Sequence, residues 1–206
     1  MELEAKIELL KNPKFQLPQI NAYHEIHSFL WPEIILKLIK KYPPQKFIIQ
    51  EDFFYEHPSY NMKKKDTLLR NRKEIIFDIE FKNKEPVEKN LITFKGAKEK
   101  SKYKLREEIE FIADEKIWDI FEKLDFKKSI SVKKYRWISE IKIPVPVFLC
   151  FDQINAIGAY LEIEIKKEDK INEDALKYLD KFLESEKLNT FKFEKKSYAA
   201  LLAKRK

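Results

Sequence analysis

Glycine is almost missing from this chain, with 2 in 206 residues. A phosphate site made from a glycine-rich loop is therefore excluded, and any phosphate recognition must come from side chains. Cysteine is rarer still: the lone Cys150 rules out an internal disulfide framework and a cysteine-based zinc site. Three histidines (His24, His27, His57) leave little for a histidine-rich metal site. No stretch reaches the ~18 apolar residues of a membrane span, and the N-terminus has no secretory pattern. A cytoplasmic chain with no membrane partner is expected. Charge, by contrast, is abundant. Charged residues make up 37% and hydrophobic ones 44%, a balance that fits one charge-rich globular domain over residues 1–206. Lys and Arg total 42 against 35 Asp and Glu, a net +7 that leans toward anionic partners. No basic run is long enough to single out nucleic acid.

The charges are arranged rather than scattered. In the first residues, Glu2, Glu4 and Lys6 alternate with Leu3, Ala5 and Ile7. On a β-strand this puts two carboxylates and an ammonium on one face and apolar groups on the other. The pattern returns in Tyr160-Leu161-Glu162-Ile163-Glu164-Ile165, and with mixed sign in Lys104-Leu105-Arg106-Glu107-Glu108-Ile109-Glu110-Phe111. Antiparallel sheets usually bury the apolar face and show the charged one to water. Here Arg and Glu alternate on many strands, enough to close a barrel, and the helices are apolar on one side. Charges inside a barrel and helices outside it satisfy both features.

Read in order, Met1 to about Leu10 is a strand. Gln16–Tyr42 has helical spacing interrupted by Pro32, so a helical insertion is expected at about 16–45. Lys46–Glu56, Thr67–Arg72, Lys73–Lys82 and Leu91–Lys95 read as strands, with a hairpin loop at Lys84–Asn90. Lys102–Ile112 reads as one mixed-charge strand. An amphipathic helix over Ala113–Asp125 should bury Ile117, Ile120, Phe121 and Leu124. Ser129–Ser139, Val147–Gln153 and Ala159–Lys166 are further strands. A helix capped by Asn172 runs to about Glu186, and a last one starts near Ser197. The fold class is α+β: an antiparallel closed β-barrel, a tunnel with a charged interior and helices packed outside. Cys150, alternating with apolar neighbours, reads as structural. His24 and His27, three apart on a helix, read as packing or capping residues, and His57 as a turn residue. Trp31, Trp118 and Trp137 read as core or helix cover.

The motifs resemble those of the CYTH superfamily, the triphosphate tunnel metalloenzymes. Glu2-x-Glu4-x-Lys6 resembles its ExExK signature. Gln50-x-Asp52-x-Phe54-Tyr55-Glu56-x-Pro58 resembles a QxDxYFDxP strand, and Leu69-Arg70-Asn71-Arg72 resembles LRIR. Leu91–Lys98 resembles LTYKGPK, Lys104–Glu110 resembles K/T-x-REExE, and Val132–Arg136 resembles VxKxR. Asp152–Glu164 resembles DxVxxLGxFxExE, the most specific of the set, and Ser197-Tyr198 resembles a C-terminal SYxxLL. The segment from Lys6 to Gln50 is longer than the family's usual connection. Asn71 stands where an apolar residue is common, which is tolerable if it faces outward.

The resemblance implies a metal-dependent enzyme that holds a triphosphate inside the barrel. The triphosphate would meet Lys6, Arg70, Arg72, Lys95, Lys104, Arg106, Lys134 and Arg136, cations converging from several strands. Mg²⁺ or Mn²⁺ would meet Glu2, Glu4, Glu162 and Glu164, with Glu108, Glu110 and Asp152 as a second tier. Glu4, Lys6 and Arg106 are implied at the reacting centre. The implied reaction is hydrolysis of inorganic triphosphate, a nucleoside triphosphate or thiamine triphosphate. Conversion of ATP to cyclic AMP and pyrophosphate is the alternative, and a non-catalytic polyphosphate or nucleotide binder a third reading. The partner is a small triphosphate, or at most an RNA 5′-triphosphate end, and the chain is a monomer or homodimer.

Overall fold

The computed structural model describes residues 1–17, 31–79, 85–142, 145–166 and 173–204. Nine strands form one antiparallel sheet: β1 (Glu2–Lys11), β2 (Lys46–Glu56), β3 (Leu68–Asp78), β4 (Val87–Lys95), β5 (Lys104–Arg106), β6 (Glu108–Ile112), β7 (Lys127–Ile141), β8 (Val147–Ile154) and β9 (Gly158–Lys166). Their order across the sheet is β5-β1-β9-β8-β7-β2-β3-β4-β6. The two outermost strands are thus neighbours in the chain. Lys104–Arg106 pairs with β1 and Glu108–Ile112 pairs with β4, so the step at Glu107 carries the chain from one border to the other. This nearly closes the barrel. It also corrects the reading of Lys102–Ile112 as one strand, because its two halves serve opposite borders of the sheet.

Period-2 alternation places the side chains as expected. On β1 and β9, Leu3, Ala5, Ile7, Leu161, Ile163 and Ile165 turn outward and are buried. They are covered by α1 (Glu33–Lys41) through Ile35 and Leu38, and by α3 (Glu173–Ser185) through Ala175, Leu179, Phe182 and Leu183. The buried α3 positions recur at intervals of three and four residues, one stripe of the helix. Each fully buried Leu or Ile contributes about 1.5–3 kcal/mol, which sustains a barrel whose inside is not apolar. α1 begins directly after Pro32, as the interruption implies. Residues 18–30, with His24 and His27, lie outside the described residues, as does Asn172. Of the two glycines, Gly158 has φ +128°, and a Cβ there would stand 1.9 Å from the Leu10 carbonyl oxygen, so no other residue lets β9 start against β1.

Three local expectations need correction. The helix after β6 is only α2 (Ile117–Lys123). Trp118 stacks on Tyr55 at 5.0 Å and Phe121 packs beside it, which turns Ile120 and Leu124 outward to 52% and 55% exposure. β4 already starts at Val87, so residues 87–90, read as part of a hairpin loop, belong to a strand. Asn71 does point away from the bore, but α2 and its aromatic neighbours cover that side. It is 2% exposed, and its Oδ1 has no hydrogen-bond partner among the described residues.

The last helix, α4 (Tyr198–Ala203), starts at Ser197, whose hydroxyl accepts from the Ala200 amide at 3.2 Å. It lies against β7 and carries Tyr198 to one end of the bore.

Candidate functional site

Inside the barrel lies a cavity lined by eight cationic and six anionic side chains. The cations are Lys6, Arg70, Arg72, Lys95, Lys104, Arg106, Lys134 and Arg136, each of them buried. Taking an ion out of water costs several kcal/mol, so a lining of this kind is poor material for stability. Buried and mutually perturbed charges gather where a protein does chemistry.

Strand register sets the neighbours. Across β1 and β9, Glu4 stands opposite Glu164 and Lys6 opposite Glu162; across β1 and β5, Glu2 stands opposite Arg106 and Glu4 opposite Lys104. Facing carboxylates repel, and lysines sit between them. Lys104 Nζ lies 2.6 Å from Glu4 Oε1, and Lys6 Nζ lies 2.8 Å from Glu162 Oε1 and 3.4 Å from Glu4 Oε1. Lys95 Nζ bridges Glu2 at 2.5 Å and Glu108 at 3.1 Å.

The arginines are held by carboxylates behind them. Arg136 donates Nε and Nη2 to the two oxygens of Asp152 at 2.7 and 2.6 Å, and also reaches Glu162 and, at 3.0 Å, Glu164. Arg72 forks onto Asp52 in the same way, at 2.5 and 2.9 Å. Arg70 touches Asp52 at 3.3 Å and donates Nε to the Thr93 hydroxyl at 3.2 Å. Such bidentate pairs fix the guanidinium planes. Arg106 differs. Among the described residues it makes no carboxylate ion pair, Asp66 attracts it only from a distance, and its buried Nε has no hydrogen-bond partner.

The protonation states follow from these contacts. Burial opposes charge on Lys6, but Glu162 and Glu4 outweigh it and hold the ammonium above its ordinary range. Burial dominates at Lys104, with Lys6 adding to it, and the amine is brought down to about 8 despite the Glu4 contact. Burial, reinforced by Arg136, also lowers Lys134. Burial would raise Asp52 and Glu162, yet the cations facing them keep both below the usual carboxylate range.

The eight cations named from the sequence all line this cavity, as do Glu2, Glu4, Glu108, Glu162 and Glu164. Asp152 is fully buried behind the wall, its oxygens taken by Arg136, by Lys134 at 3.3 Å and by the Tyr198 hydroxyl at 2.9 Å. Glu110 lies farther along the bore, in a second chamber, where it accepts from Thr93 at 2.7 Å. No three acidic, His or Cys side chains among the described residues form a ready-made cation cage. The carboxylates are spoken for by lysine and arginine, and their hard oxygens suit Mg²⁺ or Mn²⁺ once those cations turn away.

Three participants were missed at the sequence level. Asp52 shares the inward parity of Gln50 and Phe54. Tyr198, whose ring lies 3.9 Å from Lys6 Nζ, stands in the C-terminal motif. Cys150 was placed among the apolar neighbours of its strand but faces the bore beside Arg136. Its spacing of two from Asp152 carried that signal. Burial pushes its thiol well above the usual range, so it stays protonated.

Comparison with known proteins follows the same lines. A family profile described as "CYTH domain" matches residues 32–198. A candidate adenylate cyclase of Methanocaldococcus jannaschii, MJ0240, is 33% identical over 154 residues, 71% of this chain and 78% of the relative. The PH1819 protein of Pyrococcus horikoshii superposes with a TM-score of 0.75 at 23% identity over 100% of both chains. HpAC1 of Hippeastrum, a candidate adenylyl cyclase reported with a dominant triphosphatase activity, superposes with a TM-score of 0.62 at 16% identity, covering 100% of this chain and 97% of that one. At these identities the two superpositions speak for the fold. Among the described residues no helix is long and apolar enough to cross a membrane.

Proposed function

Because this chain belongs to the CYTH domain family, we propose that it binds a triphosphate in the charged cavity and hydrolyses it with the help of a divalent cation. The observation that carries this reading is Arg106: a buried guanidinium in the bore whose Nε has no hydrogen-bond partner among the described residues, in a lining where cations outnumber anions. A bound polyphosphate supplies the missing acceptor. A triphosphate carries about four negative charges near neutral pH, and multiple charge-assisted hydrogen bonds from rigid strands match it.

The residues divide the work. Arg72 and Arg136, fixed from behind by Asp52 and Asp152, present preset guanidinium planes to phosphate oxygens. Lys6, Lys104 and Arg106 line the opposite wall. As Lys6 and Lys104 turn toward the phosphates, they release Glu4 and Glu162, which together with Glu2 and Glu164 would hold Mg²⁺ or Mn²⁺. When bound, the metal neutralises phosphate charge and acidifies a water for in-line attack.

Cyclisation of ATP, with the ribose 3′-hydroxyl as nucleophile and pyrophosphate leaving, is the second reading. It is supported by the description of the M. jannaschii relative. Incubation with ATP and with inorganic triphosphate, each with Mg²⁺ or Mn²⁺, separates the two. Orthophosphate is the expected product; cyclic AMP with pyrophosphate selects cyclisation. Tight binding without either product reduces the protein to a binding module. Glu4→Gln should then remove metal-dependent turnover.

A further inference from the structure

The helical sheath of the barrel stops one strand short. α1 and α3 cover β1 and β9, and α2 covers β3 and β4, where Ile92 is buried and Phe94 partly so. Phe111 stands opposite Ile92, and Ile109 opposite Phe94, so all four share the outward face of the sheet. Yet Ile109 and Phe111, on the border strand β6, are 50% and 52% exposed, and neither joins the cluster packed under α2. The large apolar side chains that stand half or more exposed among the described residues are Val87, Ile109, Phe111, Ile112, Ile120 and Leu124, all of them within residues 87–124. Single exposed apolar groups are ordinary, but a set confined to one stretch marks a contact surface. The charge of this stretch is equally out of keeping with the rest. Residues 107–125 hold eight carboxylates and two lysines, net −6 in a chain of net +7. Glu107, Asp114, Asp119, Glu122 and Asp125 are all exposed. Such a rim repels anionic lipid and nucleic acid. It also opposes a second copy, because a two-fold contact would set two acidic stretches face to face.

We propose that the outward face of β6 docks a basic helix of another protein: an amphipathic segment whose apolar stripe lies on Ile109 and Phe111 and whose flanking Lys or Arg residues meet the acidic rim. A helix laid there completes the sheath as α1, α2 and α3 do elsewhere, helix on sheet. Complementary charge acts mainly on encounter and on the choice of partner. The apolar pair should therefore carry most of the affinity. The surface lies outside the barrel, and the proposal stands independently of the chemistry in the bore.

The probe is a synthetic fluorescein-labelled helical peptide with a leucine stripe and lysine flanks. Its control is a scramble of the same composition with the stripe broken. Both are titrated with the full chain by fluorescence anisotropy at about 0.15 M salt. A chain of net +7 repels such peptides over most of its surface, so binding reads the acidic stretch. The striped peptide should bind roughly tenfold more tightly than the scramble. Ile109→Ser combined with Phe111→Ser should remove that advantage. Asp119→Lys combined with Glu122→Lys should weaken the striped peptide about tenfold. All four side chains are exposed, so both variants should keep the Tm of the natural chain. Where the serine pair lowers Tm, the lysine pair decides by itself. Equal binding of the two peptides, striped binding that survives either variant, or binding of neither peptide overturns the proposal. Sedimentation velocity supplies one more way to lose it: self-association that the serine pair abolishes would give this face to a second copy.

Discussion

On β3 two environments alternate one residue apart. Arg70 and Arg72 enter a bore full of ions, while Leu69 and Asn71 meet an aromatic sheath under α2. The same contrast runs around the barrel: Glu162 and Glu164 point in, Leu161 and Ile163 point out under the helices. The outer face is where stability is made. The inner face spends part of it, since each buried ion carries a desolvation penalty that pairing only offsets. Function and stability are therefore assigned to opposite faces of the same strands, and substitutions on the two faces should fail in opposite ways.

The largest effects should expose this division. The carboxylate that Arg106 attracts, Asp66, keeps its Lys98 partner when Arg106 is removed. Arg106→Met should therefore fold with an unchanged or higher Tm, while kcat/KM for the triphosphate substrate falls about 100-fold, near 2.7 kcal/mol of lost transition-state stabilisation. Leu161→Ala, one residue from Glu162 but facing the helices, should do the reverse. It should lower Tm by roughly 5–15 °C through the cavity it leaves, while the surviving folded enzyme keeps its kcat/KM. Calorimetry and steady-state kinetics on both variants check this. A destabilised Arg106→Met with normal kinetics would show that the bore is structural.

A smaller effect sharpens the inner half of the comparison. Burial holds Lys104 near 8 in the free protein, below its unfolded value. Between about pH 8 and 10.4 the unfolded chain binds a proton that the folded chain lacks. The neutral amine thus makes stability rise with pH across that window, and charging it costs stability below pH 8. A triphosphate favours the charged amine, so binding at pH 9 should draw up close to one proton, and binding at pH 6.5 almost none. Titration calorimetry with inorganic triphosphate, free of metal, in two buffers of different ionisation enthalpy reads this uptake. Lys104→Met should abolish it. Uptake that persists in that variant would assign the proton elsewhere.

What the sequence made legible follows the same line between faces. Glu2, Glu4, Lys6, Glu162 and Glu164 could be read as one wall because strand alternation is a local property with a fixed period. Their convergence was legible from the number of such strands. The break at Glu107 was not. Which border a strand pairs with is decided by chain segments far away in sequence, and residues 104–112 look continuous until both β1 and β4 are in place. Asp52 and Tyr198 were missed for a related reason. Their roles lie in reaching Arg72 and Asp152, and a partner 20 or 46 positions away leaves no local trace. The apolar face of α2 was misjudged because Trp118 outweighs Ile120 and Leu124 in the area it can bury against Tyr55.

Asn71 is where the outer face departs from its own rule. It lies between Phe53 and Ile92 on the neighbouring strands, under the sheath formed by Trp118 and Phe121, and buries a carbonyl oxygen that nothing described meets. Trp118 Nε1 on the same face is also without a partner among the described residues. An unmet buried acceptor costs about 1–3 kcal/mol. Leucine keeps the branch at Cγ with no polar atom to bury, and although it is the larger residue it should recover part of that cost. Asn71→Leu is expected to gain about 1 kcal/mol and raise Tm by roughly 2–4 °C. Since Asn71 turns its back on Arg70 and Arg72, kcat/KM should not move. A fall in Tm would mean that the amide meets a hydrogen-bond donor in solution. A change in kcat/KM with Tm constant would mean that the two faces of β3 are coupled through the backbone, and that the separation argued above fails at this strand.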